Sequence, residues 1–317
     1  MNRVVIHVMA FMILLVVAYQ TEPNPFQMNK MENLAAPVSS MSKKDQSLYN
    51  EIKRKSEEYK EEPQNAVIDK VWKKTPGLNG LKVDVKKSFN RMKEKGEFDE
   101  SLLVFKQIKP EVTLEDLPPA PIYRGNPDKQ MVSFLINVSW GGEYIPSILQ
   151  TLKKNNVKAT FFVEGQWAKK NPDLLKMIKE EGHVIGNHAY NHPDMKRLSQ
   201  AESTQQIQKT NDIIKAIIGT KPKWFAPPSG SFNNGVVEGA STLQMETLLW
   251  TVDTIDWRKP TKSVMVNRVM ANIQPGAMIL MHPTPVIEKG LNDLISKIKQ
   301  KNLKIGTVDK LLTEKRY

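Results

Sequence analysis

The 317-residue sequence contains no cysteine and only five histidines. The absence of cysteine excludes disulfide bonds, thiolate zinc sites, iron–sulfur clusters and a cysteine nucleophile. Any histidine-based site must therefore use a short set of positions, namely His7, His183, His188, His192 and His282. Hydrophobic residues make up 40% of the chain, which is enough to build a core and excludes a wholly disordered protein.

Long apolar runs are also scarce, and the longest one lies at the N-terminus. After Arg3, the run from Val4 to Tyr19 holds sixteen residues without a formal charge. This is shorter than the roughly 20 residues of a membrane span, and it is typical of a signal-peptide core. We therefore predict that residues 1–19 are a signal peptide or, as the open alternative, an uncleaved membrane anchor. Both interpretations place the rest of the chain outside the cytoplasmic membrane, secreted or anchored at the cell surface.

The formal net charge is +12, and it is unevenly distributed. Residues 1–120 carry a net charge of +2, and residues 121–317 carry +10. The second half has no block of five or more Lys and Arg residues and no interleaved aromatic platform, so we do not expect a nucleic-acid partner. A solvated basic surface or attraction to an anionic wall polymer explains the charge instead.

Composition shifts along the chain predict its organisation. Residues 20–64 are polar and are predicted to be a linker, 65–109 a small α/β module of unknown role, and 110–126 a proline-rich linker. From residue 127 to 317, apolar runs of strand length alternate with amphipathic helical patterns. This regular alternation predicts an α/β fold with a parallel sheet, either open or closed into a barrel.

Chemistry in such folds gathers at the carboxyl ends of the strands. Polar and aromatic residues follow each predicted strand, and three of the five histidines are among them. These residues are Asn137, Val138, Trp140, His188, His192, Pro228, Gly230, Asp253, Asp256, Trp257 and His282.

The histidines at these ends permit two interpretations. His188 and His192 are four residues apart, a spacing at which two imidazoles can share a metal, although ordinary surface histidines show the same spacing. His282 ends a purely apolar strand, where it is either a satisfied core histidine or an acid–base group. His183 is expected to be structural.

The motifs ATFFVEG, GHVIGNHAYNHPD, PPSGSFN, TVDTIDW and ILMH occur in the order and spacing of one family. The sequence from about Pro127 to Leu312 resembles the polysaccharide deacetylases (NodB homology domain, carbohydrate esterase family 4), and it is most similar to sporulation-associated members from bacilli. The resemblance implies a distorted (β/α) barrel. It also implies removal of acetyl groups from peptidoglycan or chitin-like glycans, with one divalent metal such as zinc.

The resemblance also assigns roles to single residues. His188 and His192 match the two metal-binding histidines, and His282 matches the general acid. Asp253 matches the carboxylate that orients this acid. Pro228 and Gly230 match the wall of the substrate groove. Trp257 follows the D-x-x-D-W pattern, where it either stacks on a sugar or packs in the core.

Three positions depart from the family pattern. Asn137 occupies the position of the catalytic base, Val138 that of the third metal ligand, and Ala226 that of the arginine that contacts the base. A neutral amide cannot accept a proton at pH 7, and a valine cannot bind a metal. Two hypotheses follow. The protein is either a divergent metal-dependent deacetylase, or a catalytically silent member that binds a wall glycan or a partner protein. In both cases we expect metal binding to be weak or absent.

Overall fold

The computed structural model describes residues 41–317, so the predicted leader and residues 20–40 of the predicted linker lie outside the described residues. The described chain begins with a small module. Its elements are helix α1 (Lys43–Lys55), strands β1 (Val67–Asp69), β2 (Lys73–Thr75) and β3 (Gly80–Val83), helix α2 (Val85–Met92) and strand β4 (Phe105–Ile108). β1 pairs with β2, and β3 pairs with β4, both antiparallel.

The C-terminal part of the predicted polar linker belongs to this module. α1 buries Leu48 and Ile52 in an apolar cluster with Phe89 and Met92 of α2. Because its two apolar residues are four positions apart, they lie on one face of a helix that is otherwise polar. The prediction of a linker up to residue 64 was wrong for this segment, because two buried side chains are sufficient to dock a mostly charged helix.

The second part of the chain forms a parallel sheet. Its strands are β5 (Met131–Val138), β6 (Thr160–Val163), β7 (Val184–Asn187), β8 (Trp224–Phe225), β9 (Glu246–Thr247), β10 (Val252–Asp253), β11 (Met278–Met281) and β12 (Lys304–Gly306). Seven of them follow the spatial order β10-β11-β5-β6-β7-β8-β9, and β12 pairs with the first residues of β5. The predicted parallel α/β architecture is confirmed.

The connection between the two outer strands forces the sheet to curl. In a flat sheet, seven strands about 4.8 Å apart would separate β9 and β10 by about 29 Å. Thr247 and Val252 are only five residues apart in sequence and can span at most about 18 Å. The sheet therefore curves into an incomplete barrel. The segment 247–253 contains the end of one short strand and the whole of another, because the chain crosses there from one end of the sheet to the other.

Helices cover the outside of the curled sheet. They are α3 (Ile145–Lys154), α4 (Gly165–Lys170), α5 (Pro172–Glu180), α6 (Gln200–Ile218), α7 (Asn234–Thr242), α8 (Lys262–Asn272), α9 (Pro285–Gln300) and α10 (Val308–Leu312). Side chains alternate along each strand. On β5, Ile136 and Val138 pack with the helices, whereas Met131 and Leu135 pack in a separate interior cluster.

The proline-rich segment 110–126 is packed against the barrel and is not a free linker. Ile122 is fully buried, and its backbone N–H donates to Thr247 O at 2.9 Å. The module is also tied to the barrel by an ion pair, because Lys74 Nζ lies 2.7 Å from Glu246 Oε1. Within residues 41–317, no helix has the length and apolar character needed to cross a membrane.

Candidate functional site

The predicted site residues converge at the carboxyl ends of the strands, on the interior face. The register pairs Ile136 with Met281, so Asn137 and His282 follow side by side on neighbouring strands. On β7 and β8, the pairing of Asn187 with Phe225 places His188 beside Ala226 in the same way. Alternation along the strands turns Asn137, His188 and His282 inwards, and the structure thereby brings together residues up to 145 positions apart in sequence.

Asn137 and Val138, at the end of β5, have different environments. Asn137 is 3% exposed, and among the described residues its Oδ1 has no hydrogen-bond partner. Val138 is fully buried on the opposite face, in the apolar cluster that includes Ile145 and Trp167. The position that matches a metal ligand therefore belongs to the hydrophobic layer between sheet and helices. An uncompensated buried amide, by contrast, costs stability and is characteristic of functional sites.

His188 is held rigidly at the end of β7. Its Nδ1 lies 2.7 Å from Ala226 O, and because a carbonyl only accepts, Nδ1 carries the proton and Nε2 is the free nitrogen. Burial, reinforced by the charge that His192 can carry, lowers the pKa of His188 to about 3. A neutral ring with a free Nε2 and a backbone-anchored Nδ1–H is the arrangement that metal-binding histidines use.

A buried asparagine shapes the loop between the two histidines. Asn187 Nδ2 donates to Ile207 O and to Asn211 Oδ1, and its Oδ1 accepts the N–H of Ala189. Both Ala189 and His192 have positive φ angles, of 60° and 55°. This strained loop is the reason that the second ring reaches the first: the ring centroids of His188 and His192 are 5.3 Å apart.

A third metal ligand does not accompany this pair. Within the part of the chain that the structure describes, no set of three His, Asp or Glu side chains could hold a metal ion. Asp194, the nearest carboxylate in sequence, lies 2.9 Å from Arg197 Nε and accepts a hydrogen bond from the Ser231 hydroxyl.

The pKa of His192 is lowered. Partial burial of its imidazole is the main cause, and the charge that His282 can carry adds to it.

His282 is oriented by Asp256 rather than by Asp253. Its Nδ1 lies 2.9 Å from Asp256 Oδ1, and its backbone N–H donates to Asp256 Oδ2 at 2.9 Å. Asp256 is fully buried and also accepts hydrogen bonds from the hydroxyls of Thr254 and Thr284, both at 3.0 Å. Four donors thus stabilise the carboxylate and fix the imidazole, which leaves Nε2 to face the site.

Asp253 has a different role from the one predicted. Its Oδ1 accepts the backbone N–H of Ile255 at 2.8 Å, which stabilises the left-handed conformation of this β-branched residue (φ 49°). Burial raises the pKa of Asp253, and the charge that His282 can carry opposes this effect. The prediction that Asp253 holds His282 was wrong because the turn at Ile255 brings the second aspartate of the motif, not the first, to the imidazole.

Trp140 covers one face of His282. The two ring centroids are 5.9 Å apart and the ring planes differ by only 9°. The next residue, Gly141, has a φ of 74°, and a Cβ at this position would lie 2.0 Å from Pro283 O. Only glycine permits this close approach of the two loops, and the approach places the indole against the imidazole.

The predicted groove residues line the other side of the same edge. Pro228 is buried, and Gly230 adopts a φ of 66° in contact with Trp250, where a Cβ would lie 2.9 Å from the indole. Trp257 is 48% exposed and has the Arg258 guanidinium 4.7 Å from its ring centroid. Its exposure excludes plain core packing.

The sequence predicted that the positions departing from the family pattern and the histidines lie at the carboxyl edge of the sheet. It did not predict the contacts of several supporting residues. These are Trp140 as a stacking partner, Asn187, Asp256 as the partner of His282, Thr254 and Thr284. The D-x-x-D-W pattern contained a usable signal for Asp256, because an aspartate beside an exposed tryptophan at a strand end is rarely free of a role. The contacts of Trp140 and Asn187 carried no such signal, since they depend on loop conformations.

Comparison with known proteins agrees with this description. Residues 124–248 match the family model for polysaccharide deacetylase. The uncharacterized protein YlxY of Bacillus subtilis is 50% identical over 306 residues, which are 96% of each chain. The peptidoglycan-N-acetylglucosamine deacetylase of Bacillus cereus is 41% identical over 143 residues, 45% of this chain and 52% of that protein.

Solved structures show the same relationship. The crystal structure of BA3943 from Bacillus anthracis, described as a CE4 family pseudoenzyme, shares 52% identity with a TM-score of 0.82. The match covers 85% of this chain and 96% of that chain. A BA3943 mutant described as having restored enzymatic activity matches with 51% identity, a TM-score of 0.82 and coverage of 85% and 99%.

The protein has a curled parallel sheet, histidines on its interior face and a sequence that matches the polysaccharide deacetylase model. Together these features define the scaffold of a deacetylase-type carbohydrate esterase. The chain belongs to the polysaccharide deacetylase family.

Proposed function

We propose that this protein is a catalytically silent polysaccharide deacetylase that binds an N-acetylated cell-wall glycan, peptidoglycan or a chitin-like polymer, outside the cytoplasmic membrane. The observation that carries the proposal is the state of Asn137. It lies on the interior face beside His282, at the position that the resemblance assigns to the catalytic base, but it is a buried neutral amide.

The missing base accounts for most of the expected loss of activity. Hydrolysis of an acetamide requires a group that takes a proton from water and a group that protonates the departing amine. His282 with Asp256 can supply the second function, because the carboxylate holds the imidazole with its Nε2 facing the site. Asn137 cannot supply the first, and general base catalysis typically contributes about 10²–10⁴-fold to the rate.

The described residues offer too few ligands for a stable catalytic metal site. Catalytic zinc sites use three protein ligands, and the described residues offer His188 and His192 as a pair. A metal would polarise the acetyl carbonyl in an active family member. Here we propose that divalent metal binds weakly to the two histidines, because their rings lie close together but no carboxylate among the described residues completes the set.

The retained architecture supports binding. The left-handed conformations of Ala189, His192, Ser229 and Ile255 are costly, and all occur in loops at this edge. Backbone strain of this kind is concentrated at functional sites, so its presence in these loops supports a binding role for the cleft. The relatives named above include a peptidoglycan deacetylase and a pseudoenzyme, which supports a wall glycan as the ligand.

The alternative is an active but divergent deacetylase. The complete His282–Asp256 pair and the intact His188–His192 pair favour it, because a protein without catalysis does not need an oriented acid. The two proposals differ in one measurable quantity, the release of acetate by the wild-type protein.

The test combines acetate release, metal analysis and glycan binding. Wild type, Asn137→Asp and Asn137→Asp/Val138→Asp are assayed on N-acetylchitopentaose and peptidoglycan, with Asn137→Leu as a control that changes the same buried position without adding a carboxylate. We expect acetate release only from the Asp-containing variants. The double variant should bind no more metal than Asn137→Asp, because the side chain at position 138 faces the helices and not His188 and His192. Val138→Asp should lower stability, because it places a carboxylate in the apolar layer.

Two results would overturn the proposal. Robust turnover by the wild type that His282→Ala abolishes would establish the active alternative. A wild type that binds neither glycan would point to a protein partner instead.

A further inference from the structure

We propose that Trp140 is the sugar-binding platform of this site, stacking its free face on a pyranose ring of the bound glycan. This inference rests on the proposed glycan-binding function and adds the residue that supplies the affinity. Trp140 follows the segment Asn137–Val138 at a predicted strand end, a position that by itself does not predict a role in binding.

The Trp140 indole has one covered face and one open face. One face is covered by His282, whose ring is parallel to it within 9°. Trp140 is nevertheless 47% exposed, so the opposite face is open at the carboxyl edge of the sheet. A large, rigid aromatic side chain in this position leaves apolar area in water, which a ligand with a flat apolar face would remove.

Neighbouring residues hold the Trp140 side chain in place before any ligand binds. Gly141 fixes the loop against Pro283, and the next turn packs tightly, since a Cβ on Gly142 would lie 3.2 Å from a methyl group of Leu174. His282 is itself fixed by Asp256 through two hydrogen bonds. A preorganised side chain loses little conformational entropy on binding, and more of its contact energy therefore appears as affinity.

Trp257 is the other exposed tryptophan at this edge that could stack on a sugar. It is exposed to the same degree, at 48%, but the Arg258 guanidinium lies 4.7 Å from its ring centroid and competes for a face of the indole. The two tryptophans thus form a matched pair at the same edge, and only Trp140 is backed by a histidine of the site.

Sugar rings present axial C–H groups on one face, and these stack on indole much as other apolar groups do. The stack places the sugar on the face of the indole that points away from His282, at the carboxyl edge of the sheet where Asn137 and His282 end neighbouring strands. The ligand class is therefore a β-linked hexosamine polymer whose sugar ring, and not its charge, is recognised. Binding should accordingly depend little on salt.

The experiment compares Trp140→Ala and Trp257→Ala by titration calorimetry with N-acetylchitopentaose at low and high salt. We expect Trp140→Ala to weaken binding about tenfold or more, and Trp257→Ala to weaken it less than about threefold. Trp140→Tyr should restore most of the affinity, since it keeps an aromatic face. Both alanine variants should unfold at the wild-type temperature, because each removes an exposed side chain.

The outcomes separate this inference from the proposed function. If the wild type binds the pentamer and Trp140→Ala binds equally well, the platform is disproved while the glycan-binding function stands. Equal losses in the two alanine variants would also disprove it. If the wild type binds neither the pentamer nor peptidoglycan, both proposals fail together.

Discussion

Asp256 Oδ1 lies 2.9 Å from His282 Nδ1, and this contact makes Asp256 the organising residue of the candidate site. Its carboxylate accepts four hydrogen bonds at full burial. Asp253, three residues earlier, accepts one backbone hydrogen bond and is only partly buried. The two carboxylates of the same motif should therefore contribute very differently to stability.

We predict that Asp256→Ala lowers the free energy of unfolding by about 3 kcal/mol or more, because it leaves the donors of Thr254, Thr284 and His282 unpaired. Asp253→Ala should cost about 1 kcal/mol. Urea denaturation of the two variants measures the difference. Equal losses would mean that Asp256 does not organise the site.

The loop that carries Trp140 should be intolerant of any side chain at Gly141. Gly141→Ala combines a φ of 74° with a Cβ that would lie 2.0 Å from Pro283 O. We expect a loss of about 2–4 kcal/mol, from the strain of the left-handed conformation plus the displacement of the backbone. The near-ultraviolet circular dichroism should change as well, because the Trp140–His282 stack is disturbed.

Gly219 is the matched control for this experiment. It ends α6 with the same φ of 74°, but no atom lies within 4 Å of its Cβ position. Gly219→Ala should therefore cost only the conformational strain, about 1 kcal/mol. If both substitutions cost the same, the close approach to Pro283 is not what requires glycine at position 141.

His183 should make the protein sensitive to acid. It is 3% exposed, its Nδ1 accepts the backbone N–H of Ala159 at 3.0 Å, and burial lowers its pKa to about 4. In the unfolded chain the pKa is about 6.5, so between pH 6.5 and 4 the unfolded state binds the proton more readily. Stability is therefore complete above pH 6.5 and declines by up to about 3 kcal/mol as the pH falls to 4.

His183→Asn tests this assignment, because an asparagine Oδ1 can accept the same hydrogen bond without titrating. Denaturant unfolding between pH 4 and 7 should show a smaller decline in the variant than in the wild type. His188, whose pKa is also low, remains in both proteins, so the difference isolates His183. An unchanged pH profile would contradict the prediction.

Lys129 should make stability rise with pH in alkaline solution, as His183 does in acid. It is 5% exposed, its Nζ donates to the carbonyls of Lys310, Leu311 and Thr313 at the end of α10, and burial lowers its pKa to about 8. Between pH 8 and about 10.4 the unfolded chain keeps the proton that the folded chain releases. Folding should therefore gain up to about 3 kcal/mol over this range.

Lys129→Met removes the titrating group and most of the polarity while keeping an unbranched side chain. Its unfolding free energy should be lower than that of the wild type throughout, because three carbonyls lose their donor. The alkaline rise should also be smaller in the variant, and unfolding curves at pH 8, 9 and 10 measure it. A rise of the same size in both proteins would assign the effect to other groups.

Much of the barrel could be predicted from the sequence. The run Met131–Val138 is too apolar for any other place than a central strand, and the alternation of such runs with amphipathic helices leaves few options besides a parallel sheet. The positions of Asn137, Val138 and Ala226 in the motifs indicated a missing base and ligand. These conclusions depend on local residue patterns, which are present in the sequence itself.

Other features depended on long-range contacts. The helix Lys43–Lys55 has the composition of a tether, and only its contact with Phe89 and Met92 makes it part of a module. The run from Thr247 to Asp253 reads as a single strand, but closure of the sheet splits it.

The sequence by itself determined the family and the parallel fold, because each depends on which residues occur in which order. Tertiary structure alone decided which aspartate holds His282, that Trp140 covers it, and that Val138 faces the helices. These relationships are set by loop conformations such as the left-handed turns at Ile255 and Gly141. Such turns bring together residues that are distant in sequence, and whether a residue adopts the left-handed or the right-handed conformation determines which side chains meet.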